Sequence, residues 1–497
     1  MNHNGQPLFV IFGHQLFDPE QLAPHRDALF FLCESHDKAQ RFRHHQQKLA
    51  LMFSAMRTYD AELRAAGLQT TYHSLDDPQP FFSTLEKVAR TSNCSMLLAF
   101  DPVNHALKRK LEGLAKNLKI PLDIKPSPNF LLDDTELGRF FEGNAKPQMG
   151  RFYKQQRRNL GLLLESDGQP RGGRWSLDSE NRKRLPKNIS PPLPPPFEPS
   201  AITQEVATMV AHEFAEHPGD AKRLWLPVDR KGAEIWFENF LAHRFHQFGP
   251  FEDAITTRSH HVFHSIISPL LNLGLLSPDA VLARAIKFGA ENQVPLNSVE
   301  GFVRQVIGWR EFIRGIYIFH SDRQRKSNHW GHTRGLSSAW YRGETGLDPL
   351  DHAIRGAIDH GWNHHIERLM VIGNLMTLCE IRPADAYRWF MEMYVDAYPW
   401  VMEPNVYGMA LFSDGGIFAT KPYLCASNYL LKMSDHKKGE WCEVLDGLYW
   451  RFVNKHRDYL RNNARMPFVI KNLEKIETSR LNRLIKKAES FIEANTD

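Results

Sequence analysis

The chain has 497 residues, of which 42% are hydrophobic and 24% charged, an ordinary composition for a soluble globular protein of two or three domains. It has no run of 18 apolar residues and no basic, cleavable leader, which argues against a membrane or secreted protein and predicts a cytoplasmic location. Five scattered cysteines without a CxxC pair argue against a disulfide framework. The formal charge of +5 permits a nucleic-acid partner without requiring one.

The first 130 residues alternate short apolar runs with helical patterns. Strands are predicted at 8–13, 28–34, 69–75 and 95–102, and helices at 44–67, 81–93 and 105–120. This alternation predicts a parallel α/β sheet, whose ligands bind beyond the carboxyl ends of the strands. His14 and Asp101 follow two of these strands, and no GxGxxG or P-loop motif is present.

Residues 131–225 differ in composition from what precedes them. They are basic and glycine-rich and include the run "KNISPPLPPPFEPS", which predicts a stiff, extended interdomain linker. From 226 onward helical patterns dominate, as in 298–317, where the apolar residues form one stripe. The predicted organisation is therefore an α/β domain over 1–130, a linker over 131–225 and an all-helical domain over 226–497.

Three segments of the helical half mix polar side chains with apolar stretches. They are a predicted buried helix with a polar start at 256–276, a helix at 303–315, and a loop-like stretch at 395–416. Loop residues often serve binding sites, whereas a buried helix or an internal salt bridge of Arg310 is the structural alternative. The residues of interest are Arg258, His264, Ser265, Ser268, Gln305, Trp309, Arg310, Asp396, Trp400, Asn405 and Asp414.

A run of histidines stands in "AIDHGWNHHIERLM", where His364 and His365 are adjacent and therefore cannot share a helix face. Metal binding, core packing and catalysis are all open to such a pair. The spacings His260/His264 and His360/His364 are those of helical metal ligands, but neither pair has the glutamate of HExxH. A zinc site of that kind is not favoured.

The order of these motifs resembles the photolyase/cryptochrome superfamily, and within it the bacterial branch of prokaryotic (6-4) photolyases. The resemblance is carried by "SHHVFHSIISPLLNLGLL", "GWREFIRG", "HHIERLMVIGN" and "DAYPWVMEPNVYGM", and it extends over nearly the whole chain. It implies a flavoenzyme with FAD folded inside the helical domain. The residues that it implies around FAD are Arg258, His264, Ser265, Ser268, Gln305, Trp309, Arg310, Asp396 and Asn405.

The resemblance also gives the histidine pair a role. It implies that both face a flipped-out lesion, with His365 the proton donor and His364 beside it. Trp340 and Trp389 would relay electrons to oxidised flavin. Phe390 stands where relatives can carry a redox-active tyrosine, and Tyr341, Tyr387 and Tyr394 are nearby substitutes.

Two features depart from the family pattern. Relatives with an iron–sulfur cluster carry cysteines where this chain has Pro349, Lys437 and Glu440, and Cys442 is offset, so no cluster is expected. The usual GDQL reads "GHQL" here. The candidates for contacts with a ribolumazine-type antenna chromophore are His14, Cys33 and Glu34.

Basic and aromatic residues interleave in "GRFYKQQRRNLGLLL", a pattern that suits phosphates and an unstacked base. The alternative is a solvated basic helix. The predicted DNA-binding residues are Arg151, Tyr153, Lys154, Arg157 and Arg158, and the candidates for a Mg²⁺ site near DNA are Asp178 and Asp253.

The predicted function is light-driven repair of (6-4) photoproducts in DNA by a monomeric FAD enzyme. The alternatives are a blue-light receptor that signals to a protein partner without repair, and a photolyase of cyclobutane dimers.

Overall fold

The computed structural model describes residues 5–497. Its N-terminal part holds five parallel strands in the order β3-β2-β1-β4-β5. Helices cross over between successive strands after β2, as parallel pairing requires. The strands are β1 (Leu8–Val10), β2 (Leu29–Cys33), β3 (Thr70–His73), β4 (Leu97–Phe100) and β5 (Leu122–Lys125), and the helices beside them are His36–Ala39, Gln46–Ala65, Phe81–Thr91 and His105–Leu118.

The middle segment is more structured than a linker. The proline-rich run is extended, as its composition predicts, but three α-helices flank it. These are Asp134–Phe141, Met149–Asn159 and Ala201–Glu213.

No strand is present from residue 226 to 497, where the secondary structure is helical. The α-helices are Arg230–His243, Phe245–Phe248, Ser268–Leu273, Pro278–Glu291, Leu296–Val303, Glu311–Arg325, Ala339–Arg342, Asp348–His360, Asn374–Leu378, Pro383–Met393, Pro399–Glu403, Ser427–Met433, Trp441–Lys455, Arg457–Asn462, Pro467–Leu473 and Thr478–Asn495. Within this part Arg304–Arg310, Glu367–Gly373 and Pro404–Ala410 are π-helical. The predicted fold class, a parallel α/β domain followed by a helical one, is confirmed.

Two local predictions were wrong. The segment 256–276 is a helix only over Ser268–Leu273, and the residues before it form turns. The stretch 395–416 is largely helical. Pro399 and Pro404 stand at helix starts, where the missing N–H of proline costs no helical hydrogen bond.

The sheet and the helical half share one hydrophobic core. This core buries Phe9 and Phe30 of the sheet and Phe53 of the helix Gln46–Ala65. It also buries Trp236 and Phe240 of the helical half. This packing fixes the α/β part against the helices that lead to the candidate site. Of the helices in residues 5–497, none is long and apolar enough to cross a membrane.

Candidate active site

A cavity of about 590 Å³ lies in the helical half, within the range of roughly 300–1,000 Å³ that is usual for cofactor sites. All three π-helical segments contribute to its wall. A π-helical turn inserts an extra residue into a helix, and such turns are frequent at functional sites. The side chains Gln305, Arg368 and Asn405 each reach the cavity from one of these segments.

The structure brings together eight of the nine residues predicted around the cofactor. Arg258 is the exception. Its guanidinium donates to the carbonyl groups of Pro186, Lys187 and Ile189 and forms an ion pair with Asp435 at 3.2 Å, so it fastens the proline-rich segment to the helical domain, contrary to the prediction. The eight that line the cavity are His264, Ser265, Ser268, Gln305, Trp309, Arg310, Asp396 and Asn405.

A buried ion pair forms the polar centre of the cavity wall. Asp396 accepts from both terminal nitrogens of Arg368, at 2.9 and 3.1 Å, and from the Ser268 hydroxyl at 2.7 Å. The guanidinium lies 3.9 Å from the ring centroid of Tyr394. Sequence analysis missed Arg368, although a cation in the apolar run that follows the histidine pair was a signal for it.

The guanidinium of Arg310 contacts neutral side chains and aromatic rings rather than forming the internal salt bridge weighed from the sequence. Its guanidinium donates to the side-chain oxygens of Asn272 (2.7 Å) and Asn129 (2.8 Å) and lies over the rings of Phe130 and Trp400. Among residues 5–497 no carboxylate forms an ion pair with it. Burial lowers the pKa of Arg310 to about 10, which still leaves it charged at neutral pH. The cavity wall thus presents an uncompensated positive charge, which suits an anionic ligand group.

The adjacent histidines have opposite environments. His364 is buried and stacks on His264, with ring centroids 5.2 Å apart, and burial holds its pKa well below the ordinary value. His365 has 46% of its side chain exposed, and its Nε2 lies 3.1 Å from Asp253 Oδ1. Burial opposes the charge on His365, but the Asp253 carboxylate outweighs it and raises the pKa above the ordinary value.

Asp178 and Asp253, the candidate Mg²⁺ ligands, lie on either side of Arg182, which pairs with both. Asp178 also pairs with Arg304, at 3.3 Å, and Asp253 with His365. Cationic side chains of the protein therefore already neutralise both carboxylates, and a Mg²⁺ ion would have to displace them.

The basic helix Met149–Asn159 divides the five predicted DNA-binding residues between two faces. Arg151 and Arg158 are exposed, and Lys154 is half-buried; Lys154 and Arg158 each lie 4.9 Å from the ring centroid of Trp175.

The other face of the helix turns inward, so the prediction for two residues was wrong. Tyr153 is 1% exposed and its hydroxyl donates to Glu300 at 2.8 Å. Arg157 is fully buried and donates to the carbonyls of Leu162, Leu163 and Trp175. Neither side chain can reach a phosphate in this arrangement.

A profile of the FAD-binding domain of DNA photolyase matches residues 302–437, the range that contains all three π-helical segments. A second profile, of the deoxyribodipyrimidine photo-lyase-related protein, matches residues 9–225. A (6-4) photolyase of Agrobacterium fabrum is 35% identical over 448 residues, which is 88% of this chain and 88% of that protein. The chain belongs to the photolyase/cryptochrome family.

Solved structures agree on the fold. A bacterial class III photolyase from Agrobacterium tumefaciens superposes with a TM-score of 0.58 at 18% identity, covering 99% of this chain and 98% of the other. A cryptochrome from Synechocystis sp. superposes with the same score at 14% identity, covering 99% of each chain. The family identification made from the motifs is confirmed.

The residues present in this family member fit FAD. The uncompensated Arg310 guanidinium suits the diphosphate, and its buried Nε has no hydrogen-bond partner among residues 5–497. The Arg368–Asp396 pair and Asn405 supply polar groups on another part of the wall. The cavity is otherwise largely lined by apolar side chains such as Leu271 and Met409, which suits a flavin ring.

Trp340 and Trp389 are both fully buried, and the Trp389 indole N–H donates to the Trp340 carbonyl at 3.0 Å. Phe390, whose ring centroid is 5.4 Å from that of Trp389, lines the cavity. Of the nearby tyrosines, Tyr394 is the one whose ring adjoins both Trp389 and the Arg368 guanidinium. The predicted relay thus lies behind the cavity wall.

The three antenna candidates do not share one environment. Glu34 is buried and its carboxylate is held by Arg57 at 2.7 and 3.0 Å and by the Tyr72 hydroxyl, so it serves the fold, contrary to the prediction. Burial raises the pKa of the Cys33 thiol to about 12, and lowers that of His14 to about 4. All five cysteines are buried and free, and neither group of potential metal ligands found within 5–497 includes one.

Proposed function

We propose that this chain uses light to repair pyrimidine–pyrimidone (6-4) photoproducts in DNA. The observation that carries the proposal is the His365–Asp253 pair at a cavity whose other wall suits FAD. Bound FAD, reduced and excited by light, would supply one electron to the lesion. The rest of the task is proton transfer and orientation, which this chain's own residues can perform.

Return of the lesion's transferred oxygen needs a proton beside it. His365 is the suitable donor, because the Asp253 carboxylate raises its pKa and nearly half of its side chain faces open space. His364 cannot share that role, since burial keeps its imidazole neutral. The imidazole of His364 stacks on that of His264, and the His264 ring in turn packs against His365.

The damaged nucleotide must leave the duplex to reach this site. The exposed face of the helix Met149–Asn159 provides positive charge for the backbone, while Met149 itself lines the cavity. The basic face and the cavity are therefore neighbours, as an enzyme that extrudes a base into its pocket requires.

The test is a repair assay on an oligonucleotide that carries one (6-4) photoproduct. Reduced protein is mixed with it, illuminated with blue light and compared with a dark control, and restored thymines are followed by chromatography. Light-dependent restoration supports the proposal. Restoration of a cyclobutane dimer alone would make the chain a photolyase of that lesion, and photoreducible FAD without any repair would favour a receptor.

The pH dependence of repair provides a first prediction. Replacing Asp253 by asparagine removes the charge that raises the pKa of His365. Because the donor must be protonated, activity falls as pH rises through that pKa, so the alkaline limb should move to lower pH in Asp253→Asn. At low pH, where His365 is protonated in both the wild type and the variant, the repair rates should converge. Asp178→Asn is the matched control, and an unmoved limb in Asp253→Asn would contradict the assignment.

The salt dependence of DNA binding separates the two faces of the basic helix. The double variant Lys154→Gln/Arg158→Gln should lower the slope of log affinity against log salt by about 2, one for each lost phosphate contact. Arg480→Gln, an exposed arginine on the last helix, should leave the slope unchanged.

The inward face should respond differently. Arg157→Gln leaves three carbonyl groups without their hydrogen-bond donor. It should therefore reduce the free energy of unfolding by about 3 kcal/mol or more. Urea unfolding measures this loss, and a change of salt slope without a loss of stability would contradict the buried placement.

The tryptophan relay is tested by photoreduction. Trp389→Phe should slow the light-driven reduction of bound oxidised FAD, because its indole contacts both the Trp340 backbone and the cavity-lining Phe390. Repair by chemically reduced protein should persist, which separates electron supply from repair. Trp450→Phe, on a helix away from the cavity, is the control, and equal photoreduction rates in both variants would contradict the relay.

A further inference from the structure

Beside the active-site cavity, three potential metal ligands converge from separate segments. His260 comes from the turns before the helix Ser268–Leu273, His352 from the helix Asp348–His360, and Glu367 begins the second π-helical segment. One ligand atom of each residue lies within 4.8 Å of those of the other two. Glu367 is absent from the wall of the cavity that suits FAD, so this group is a second cluster.

Each member of the cluster has a buried polar atom that makes no hydrogen bond to any part of residues 5–497. The atoms are His260 Nδ1, His352 Nε2 and Glu367 Oε1. Glu367 is only 1% exposed, so water does not readily replace the missing partner. The three residues thus each have hydrogen-bonding capacity to spare where their ligand atoms converge, and two imidazoles with one carboxylate suit a cation.

Neighbouring contacts orient the members of the cluster. The rings of His260 and His352 stack on each other, with centroids 4.8 Å apart. Asn363 donates to Glu367 Oε2 at 2.8 Å, which orients the carboxyl group and leaves Oε1 for another ligand.

The surroundings provide room and access. His260 lines a second cavity of about 320 Å³, bounded by His360, Trp362 and the proline-rich segment, through which an ion can enter. Gly356 makes the approach of His260 feasible, because a Cβ there would lie 2.6 Å from His260 Nδ1. The nearest fixed cation on this cavity, Arg258, is already paired with Asp435.

We propose that His260, His352 and Glu367 bind a transition-metal dication, Zn²⁺ in the first instance, at a site separate from the flavin and the lesion. Two imidazoles and one carboxylate select zinc over Mg²⁺ or Ca²⁺, which prefer all-oxygen sites. Zinc–nitrogen bonds of about 2.0–2.1 Å in tetrahedral geometry need ligand atoms about 3.4 Å apart, so the stacked rings of His260 and His352 must turn toward each other to close the site. The fourth position is left to water or to His360, whose ring centroid is 5.1 Å from that of His260.

The site would tie together three segments that also form the active site. The turns with His260 lead to Ser265 and Ser268, and Glu367 is followed by Arg368. The ion would thus hold the turns that carry His260 against the π-helical segment that begins at Glu367. The sequence spacing could not reveal this group, because its members are 15 or more residues apart in sequence.

The test uses the full-length, FAD-loaded protein, stripped with a chelator, reloaded with ZnCl₂ and desalted. We expect the wild type to retain about one zinc per chain, and His260→Gln and His352→Gln to bind it at least about tenfold more weakly, as loss of one ligand predicts. His436→Gln, which changes a half-buried imidazole next to His352 but outside the trio, is the matched control. Substitution with Co²⁺ should give visible absorption bands that both test variants lose.

A second histidine group, His264, His364 and His365, is the competing location. Zinc that is lost in His365→Asn but kept in His352→Gln overturns the proposal. FAD content verifies that each variant is folded. A wild type that neither retains zinc nor melts at a higher temperature in its presence also overturns it, independently of every variant.

Discussion

Replacing His365 by alanine is expected to abolish (6-4) repair, lowering the rate at saturating light by about 10²–10⁴-fold, the usual contribution of a general acid. The cause is local. His365 is the member of the pair whose pKa Asp253 raises, and its removal leaves the lesion without a positioned proton donor. Because the side chain is half-exposed and, among residues 5–497, hydrogen-bonds to Asp253 alone, the fold and the bound FAD should be retained.

Quantified repair of a (6-4) oligonucleotide, beside the absorbance of bound flavin, measures this effect. His243→Ala is the control, since His243 is exposed and does not line the cavity. Repair at the wild-type rate in His365→Ala would refute the donor assignment. If the alanine variant loses FAD, His365→Asn, which preserves the size and polarity of the side chain, decides the question.

The alternation of strands and helices made the first part of the fold predictable. Four strands and the helices between them lie where their apolar runs predict. The fifth strand, Leu122–Lys125, was not predicted, because it is an edge strand whose residues are all half-buried and two of which are charged. An edge strand carries a weak hydrophobic signal, since only one neighbour and one face bury it.

Placement of the cofactor residues rested on motif order, and eight of the nine predicted residues line one cavity. It failed for Arg258, which lies in a turn whose course is set by the distant proline-rich segment. It failed for Tyr153 and Arg157 because composition does not reveal which face of a basic helix packs inward. Contacts with Glu300 and with the loop carbonyls decide that face, and these are tertiary.

The π-helical segments lie beyond sequence patterns for a related reason. A period of 3.6 residues predicts the helix at 298–317 but not the wider turns of Arg304–Arg310 within it. The extra residue places Gln305, Trp309 and Arg310 on the same cavity wall. Such a turn is stabilised by what packs around it, and the shape of the candidate site therefore depends on the whole helical domain.

Replacing Asp396 by alanine is expected to have the largest effect on the integrity of the site. The carboxylate satisfies both terminal nitrogens of Arg368 and the Ser268 hydroxyl, and it is 6% exposed. Its removal leaves the guanidinium without a counter-charge in a mostly apolar cavity, which should cost about 3–5 kcal/mol of stability. FAD should then be lost on desalting, because Arg368 and Ser268 no longer hold the cavity wall in place.

Denaturant unfolding and the flavin-to-protein absorbance ratio measure the two effects. Asp385→Ala provides the matched control. This variant also removes an aspartate paired with an arginine, but the Arg382 side chain is 53% exposed, so solvent screens the pair and it should contribute no more than about 1 kcal/mol. Equal stability and equal flavin content in the two variants would show that the buried pair does not organise the cavity. A large loss of stability and of flavin in Asp396→Ala, a smaller loss in Ser268→Ala and little loss in Asp385→Ala would show that charge compensation at Arg368 maintains the flavin site.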